Sequence, residues 1–152
     1  MFDLFVSSSR RDYSVSFSAS IPELESGLVN NSFLLIDSNV DFLYPHLSRK
    51  FDDRVFVIEA TEENKSLPFC EKVISFLVDN GMKRNYKLVV IGGGIVQDIA
   101  GFVSSILFRG VEWVFFPTTL LAQADSCIGS KSSINFGGAK NLLGTFYPPS
   151  QI

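Results

Sequence analysis

Residues Leu88 to Gly94 read Leu-Val-Val-Ile-Gly-Gly-Gly, and Ile95, Val96, Ile99, Phe102, Val103 and Ile106 follow at helical spacing. A short β-branched run, a glycine turn and an amphipathic helix in that order leave few folds open. In such a unit the backbone N–H groups at the helix start are placed to hold a phosphate. The segments before the turn are expected to be scaffold, and those after it the wall of a site.

The flanking pattern agrees. Tyr13, Val15 and Phe17 alternate with serines in the manner of an edge strand. Phe33 to Ile36 reads as a buried strand halted by Asp37-Ser38-Asn39, and Val40 to Leu47 as a short helix interrupted by Pro45. Arg54 to Glu59 gives the next strand. After a polar connection over 60–65 comes a helix from Ser66 to about Asn80, with Phe69, Val73, Ile74, Phe76 and Leu77 as its apolar face and Gly81 at its C-terminal cap. The helix that opens at the glycine turn ends near Arg109-Gly110. Trp113 to Phe116 is a strand stopped by Pro117, and Thr118 and Thr119 cap a helix over Leu120 to Cys127. Beyond it, Gly129, Gly137, Gly138 and Gly144 punctuate what reads as a loop-rich tail carrying Lys131, Asn135, Lys140 and Asn141. The alternation of strands and helices predicts one α/β domain over 1–152, a Rossmann-like, mostly parallel sheet with helices on both faces.

A chain of 152 residues that is 46% hydrophobic and 19% charged can build one real core. No apolar run approaches the ~18 to 20 residues that span a bilayer. In Met1 to Arg11 the basic pair follows the apolar patch, the reverse of a secretory leader, so a cytoplasmic protein is expected. Cys70 and Cys127 stand far apart in unlike contexts and read as two buried thiols. His46 has no second His or Cys nearby, so no metal residue is assigned. A net charge of -3 offers no general attraction for nucleic acid or an acidic membrane.

The distribution of charge is more informative than its total. Of 29 acidic and basic residues, 24 lie in 1–98; only Arg109, Glu112, Asp125, Lys131 and Lys140 follow. A stretch so poor in charge is expected to be buried or to line a cleft, where each charge needs a partner. Those five are therefore candidates.

The glycine turn departs from the common dinucleotide fingerprint, which wants Gly-x-Gly-x-x-Gly and an acid at the end of the following strand. Gln97 holds the third glycine's place, and the following strand ends at Phe116-Pro117 with no acid. No Gly-Lys-Ser/Thr closes the turn as a P-loop would. Upstream, Asp37 at a strand's end either caps the next helix or grips a ribose diol, and Glu62 with Lys65 reads as an ordinary solvated pair. Lys131 and Lys140, without matching acids, suit an anionic substrate.

Gly92-Gly93-Gly94-Ile95-Val96-Gln97-Asp98, Phe108-Arg109-Gly110-Val111, Pro117 through Ser126, Gly129-Ser130-Lys131, Ala139-Lys140-Asn141 and Gly144-Thr145-Phe146-Tyr147 together resemble the 3-dehydroquinate synthase family. The likeness is dense from Leu88 to Ile152 and thinner, though collinear, before it. It implies the N-terminal NAD-binding domain of a sugar-phosphate cyclase that uses NAD and a divalent metal, zinc or cobalt. Such an enzyme converts 3-deoxy-D-arabino-heptulosonate 7-phosphate to 3-dehydroquinate and phosphate in the shikimate route. The resemblance further implies NAD contacts from Asp37, Asn39, Glu62, Lys65, Gly92, Gly93, Gly94, Ile95, Val96, Gln97, Asp98, Thr118 and Thr119. It implies substrate contacts from Asp125, Lys131, Lys140 and Asn141, with the two lysines shared between cofactor and substrate. Arg109 is similar to an arginine that reaches the neighbouring subunit's site in the family's homodimer. The family's metal ligands lie in a C-terminal helical domain absent from this chain, so these 152 residues are expected to fold but not to catalyse alone.

Four positions depart from the family pattern: Gln97, Thr61 before Glu62, Ser130 before Lys131 and Ala139 before Lys140 each stand where the family has glycine. Each adds a side chain where the backbone was free to approach a ligand or take positive φ. Two other readings stay open on that account. One is a related sugar-phosphate cyclase or glycerol dehydrogenase-like enzyme with another substrate; the other is a non-catalytic nucleotide-binding or dimerisation module.

Overall fold

The computed structural model describes residues 2–17 and 26–152; Met1, part of the leader reading, lies outside them. Strands β1 (Phe2–Val6) and β2 (Tyr13–Phe17) are followed by α1 (Ser26–Val29), β3 (Ser32–Asp37), α2 (Ser38–Leu43) and α3 (Pro45–Ser48). Then come β4 (Val55–Ile58), α4 (Leu67–Asp79), β5 (Lys87–Gly92), α5 (Gly94–Ile106) and β6 (Glu112–Pro117). Strands β7 (Lys131–Phe136) and β8 (Ala139–Phe146) end the series.

Four parallel strands in the order β4-β3-β5-β6 form the centre. Their near-continuous apolar runs follow from burial on both faces. On one face Phe33, Leu35, Leu88 and Val90 meet Cys70, Val73 and Leu77 of α4 and Val96, Ile99, Ala100 and Val103 of α5. On the other, Leu34, Ile36, Val89 and Ile91 pack against Leu47 of α3 and Phe51 just after it. The predicted parallel sheet with helices on both faces is thus observed.

Local chemistry sets the boundaries. Tyr44, with φ -133°, separates α2 from α3, and Pro45, which lacks an N–H, starts the second of the two. Helix α4 ends as expected, with Gly81 N–H donating to Val78 O at 3.0 Å and Met82 N–H to Leu77 O at 2.8 Å. Past β6, Thr119 Oγ1 accepts from Ala122 N at 3.3 Å, and a wide π turn runs over Ala122–Ser126, its Cys127 N–H donating to Ala122 O at 3.1 Å.

Two expectations are corrected. Strand β2 is not an edge. It pairs with β1 on one side, while Ile152 N–H donates to Ser14 O at 2.9 Å on the other. Gln151 also accepts from Phe115 N at 2.9 Å, so the end of the described chain joins β2 to β6. That pairing is remote in sequence, and the local alternation of serines carries no sign of it. The tail, in turn, is a hairpin rather than loops: β7 and β8 run antiparallel. Gly137 (φ 60°) and Gly138 (φ 81°) supply the two left-handed residues that a tight hairpin turn demands.

Of the four positions at which glycine is expected, Thr61, Gln97, Ser130 and Ala139, only Ser130 takes a left-handed backbone, with φ 63°. A side chain there costs roughly 1 kcal/mol or more against glycine. Ser130→Gly is therefore expected to stabilise the chain by about 1 kcal/mol, raising Tm by about 2–4 °C in a thermal melt.

Candidate functional site

The C-terminal ends of the parallel strands open onto a cleft of about 790 Å³ between the start of α5 and the β7–β8 hairpin. The glycine turn forms its floor. A Cβ on Gly92 would stand 2.7 Å from Val96 Cβ, and one on Gly93 would stand 2.7 Å from Thr119 Cγ2, so strand, helix and the segment after β6 close together only around glycine. Gly93 is the N-cap of α5 and no side chain caps that helix. The first intrahelical bond is Gln97 N–H to Gly93 O at 2.9 Å, which leaves the N–H groups of Gly94, Ile95 and Val96 uncapped. Thirteen aligned peptide units add partial positive charge at that end. The cleft floor is an anion cradle.

Above it lies a connected polar network. Lys65 is 7% exposed, and its Nζ pairs with Asp98 Oδ2 at 2.7 Å and donates to Asn141 Oδ1 at 2.6 Å. Asp98 Oδ1 accepts from Ser133 N at 2.8 Å, and Ser133 Oγ donates to Asn141 Oδ1 at 3.1 Å. Asn141 N–H donates to Asn135 Oδ1 at 2.9 Å, and Asn135 Nδ2 donates to Glu62 Oε1 at 2.8 Å. The bond from Asn135 lowers the Glu62 pKa, and the nearby Lys65 and Lys140 charges act in the same direction against partial burial. The predicted solvated pair between Glu62 and Lys65 is therefore replaced: each is engaged by the hairpin instead. The sequence carries no sign of this, because Asn135 lies 73 residues on from Glu62 and Asn141 76 residues on from Lys65, and they face each other only once the hairpin forms.

The remaining candidates are dispersed. Asp37 is buried at the end of β3 and Oδ1 accepts from Asn39 N at 2.8 Å, so it caps α2 while its second oxygen makes no hydrogen bond among the described residues. Thr118 and Thr119 follow β6 beside the glycine turn, with Thr118 N–H donating to Gly92 O at 2.9 Å. Lys131 lines the cleft, and Asp125 is exposed on the adjoining π turn. Lys140 stands at the turn end of the hairpin and Lys131 at its open end, opposite Phe146, so the two lysines do not converge. Arg109 is exposed beyond the far end of the 13-residue α5, roughly 20 Å from the glycine turn at ~1.5 Å per residue. Glu112, a candidate for its isolation in sequence, pairs with Lys87 at 3.1 Å across β5 and β6 and stands apart from the cleft. Ser126 and Gln97, which share two hydrogen bonds at the cleft wall, complete the site.

Both thiols are buried, and burial raises the Cys70 pKa to about 12, so neither is a poised nucleophile. Among the described residues no cluster of three His, Cys, Asp or Glu side chains is placed to hold a metal, and no helix is long and apolar enough to cross a membrane.

A parallel sheet, a glycine turn with an uncapped helix behind it and a polar hairpin over the cleft define a parallel α/β domain with an anion cradle at the C-terminal ends of its strands. The model of the 3-dehydroquinate synthase N-terminal domain matches residues 55–152, and the chain belongs to that family. The 3-dehydroquinate synthase of Clostridium tetani is 42% identical over 124 residues, covering 79% of this chain and 33% of its own length. That of Helicobacter pylori strain P12 is 34% identical over 158 aligned positions, covering all of this chain and 45% of its own. The chain thus spans less than half the length of these relatives. Among solved structures, 2-epi-5-epi-valiolone synthase from Streptomyces hygroscopicus, with NAD+ and Zn2+ bound, is 30% identical with a TM-score of 0.81 over 96% of this chain and 44% of its own. A 2-deoxy-scyllo-inosose synthase shares the fold with a TM-score of 0.82 at 24% identity, covering 99% of this chain and 45% of its own.

Proposed function

We propose that this chain is the NAD-binding part of a cytoplasmic, homodimeric 3-dehydroquinate synthase, which releases phosphate from 3-deoxy-D-arabino-heptulosonate 7-phosphate as it forms 3-dehydroquinate for aromatic biosynthesis. The observation that carries the reading is the uncapped start of α5 and the cationic Lys131 sharing one cleft. The N–H groups of Gly94, Ile95 and Val96 fit a pyrophosphate, and the second oxygen of Asp37 fits a ribose hydroxyl. Bound NAD supplies a transient oxidation of a substrate alcohol, which makes the neighbouring C–H acidic. The chain's own residues then bind and orient. Lys131 stabilises anionic charge on the substrate, Asp125 orients hydroxyls, and the Lys65–Asp98–Asn141 network holds the hairpin in place above them. Arg109 is assigned to the partner subunit's site. Among the described residues no group of three His, Cys, Asp or Glu side chains is placed to hold the family's divalent metal.

Calorimetric titration with NAD tests this directly. Saturable binding is expected; no heat at millimolar NAD would favour a non-catalytic module instead. The 30% identity to a valiolone synthase supports one second reading, a cyclase of the same kind acting on another sugar phosphate. Assay of the whole protein with the heptulosonate phosphate separates the two.

A further inference from the structure

We infer that Gln97 is a positioning residue that tightens dinucleotide binding by bracketing the Ala122–Ser126 turn to the start of α5, an inference resting on the NAD reading of the cleft. Gln97 is 5% exposed. Its Nε2 donates to Ser126 O at 2.5 Å, and its Oε1 accepts from Ser126 Oγ at 2.9 Å. Both bonds go to one residue, and only one orientation of the amide makes both. Ser126 Oγ in turn stands 3.9 Å from where a Cβ on Gly94 would lie, so the bracket sets the turn directly over the first turn of α5. Among the described residues the turn's other side-chain hydrogen bonds, such as Ala122 N to Thr119 Oγ1 and Gln123 Nε2 to Pro117 O, stay within the adjoining chain, leaving Gln97 as its side-chain tie to the helix. Asp125, the residue before Ser126, is carried on the same turn.

A glutamine where glycine is expected invites the opposite view, that it crowds the pyrophosphate. The two views predict opposite results. Crowding predicts that Gln97→Gly binds NAD more tightly and that Gln97→Met, which keeps the bulk, binds it unchanged. The bracket predicts that both bind more weakly, with Kd raised about tenfold, the equivalent of one or two hydrogen bonds. It also predicts faster amide exchange at Cys127, whose N–H closes the turn onto Ala122 O. Ser126→Ala, which removes one of the two bonds, should give a smaller change of the same sign and serves where a Gln97 variant fails to fold. Unchanged or tighter NAD binding by Gln97→Met would overturn the inference, as would accelerated exchange with no loss of affinity. If the parent chain binds no NAD, the dinucleotide reading fails separately, and unchanged exchange at Cys127 in Gln97→Met still overturns the bracket.

Discussion

Replacing Asp98 with alanine is expected to destabilise the chain by about 2–3 kcal/mol, a fall in Tm of about 5–10 °C for a domain of this size. The carboxylate holds two elements at once: Oδ2 pairs with Lys65 at 2.7 Å, and Oδ1 accepts the Ser133 N–H of β7 at 2.8 Å. Removing it leaves an ammonium, with its side chain 9% exposed, satisfied by Asn141 alone, and orphans a backbone donor. Breaking a fully buried pair costs about 3–5 kcal/mol. Asp98 keeps 21% of its side-chain exposure, so water partly screens the loss and the lower figure applies. Asp98→Asn, which still accepts from Ser133, should lose less than alanine. In a double-mutant cycle with Lys65→Met, urea unfolding should show coupling well above the ~0.3–0.5 kcal/mol of independent sites. Additive losses would mean that the two residues do not form the latch that holds the hairpin over the cleft.

The latch also marks where sequence reading stops. Strands β3, β5 and β6 were legible because a strand buried on both faces must be a short, unbroken apolar run. Helix α5 was legible because its apolar residues repeat at 3.6 and glycines precede it. The hairpin reads as loops because four glycines fall within sixteen residues, although Gly137-Gly138 between two strand-forming segments is the usual signal for a hairpin. Of the glycines that punctuate this stretch, Gly137 and Gly138 make the turn between β7 and β8. Lys65 was legible as a candidate but not its partners, since Asp98 of α5 and Asn141 of β8 converge on it only through the packing of helix against hairpin. The charge-poor stretch after Ile99 did not predict burial of its charges. Lys131, Lys140, Arg109 and Asp125 are all exposed, and the apolar excess there supplies β6 and the inward side of the hairpin, through Trp113, Phe115 and Ile134.

The glycine turn yields the second large effect. Gly92→Ala is expected to cost about 2–3 kcal/mol by overpacking and to weaken NAD binding at least tenfold, read by urea unfolding and calorimetry. The new methyl would stand 2.7 Å from Val96 Cβ and 2.8 Å from its Cγ2, and Val96 is fully buried against the sheet face. Val96 cannot turn away, because the contact includes its Cβ, whose place the helix backbone fixes. Either α5 lifts off β5 or the strand end bends, and both move the N–H groups of Gly94, Ile95 and Val96 out of the cradle. Gly94→Ala is the counterpart: its Cβ would meet nothing nearer than Ser126 Oγ at 3.9 Å, and a helical alanine gains up to ~1 kcal/mol over glycine. It should leave stability equal or higher while placing a methyl in the cleft that Gly94 lines. Loss of NAD binding without loss of stability at Gly94, against loss of both at Gly92, would separate a glycine needed for the approach of a ligand from one needed for the approach of a helix.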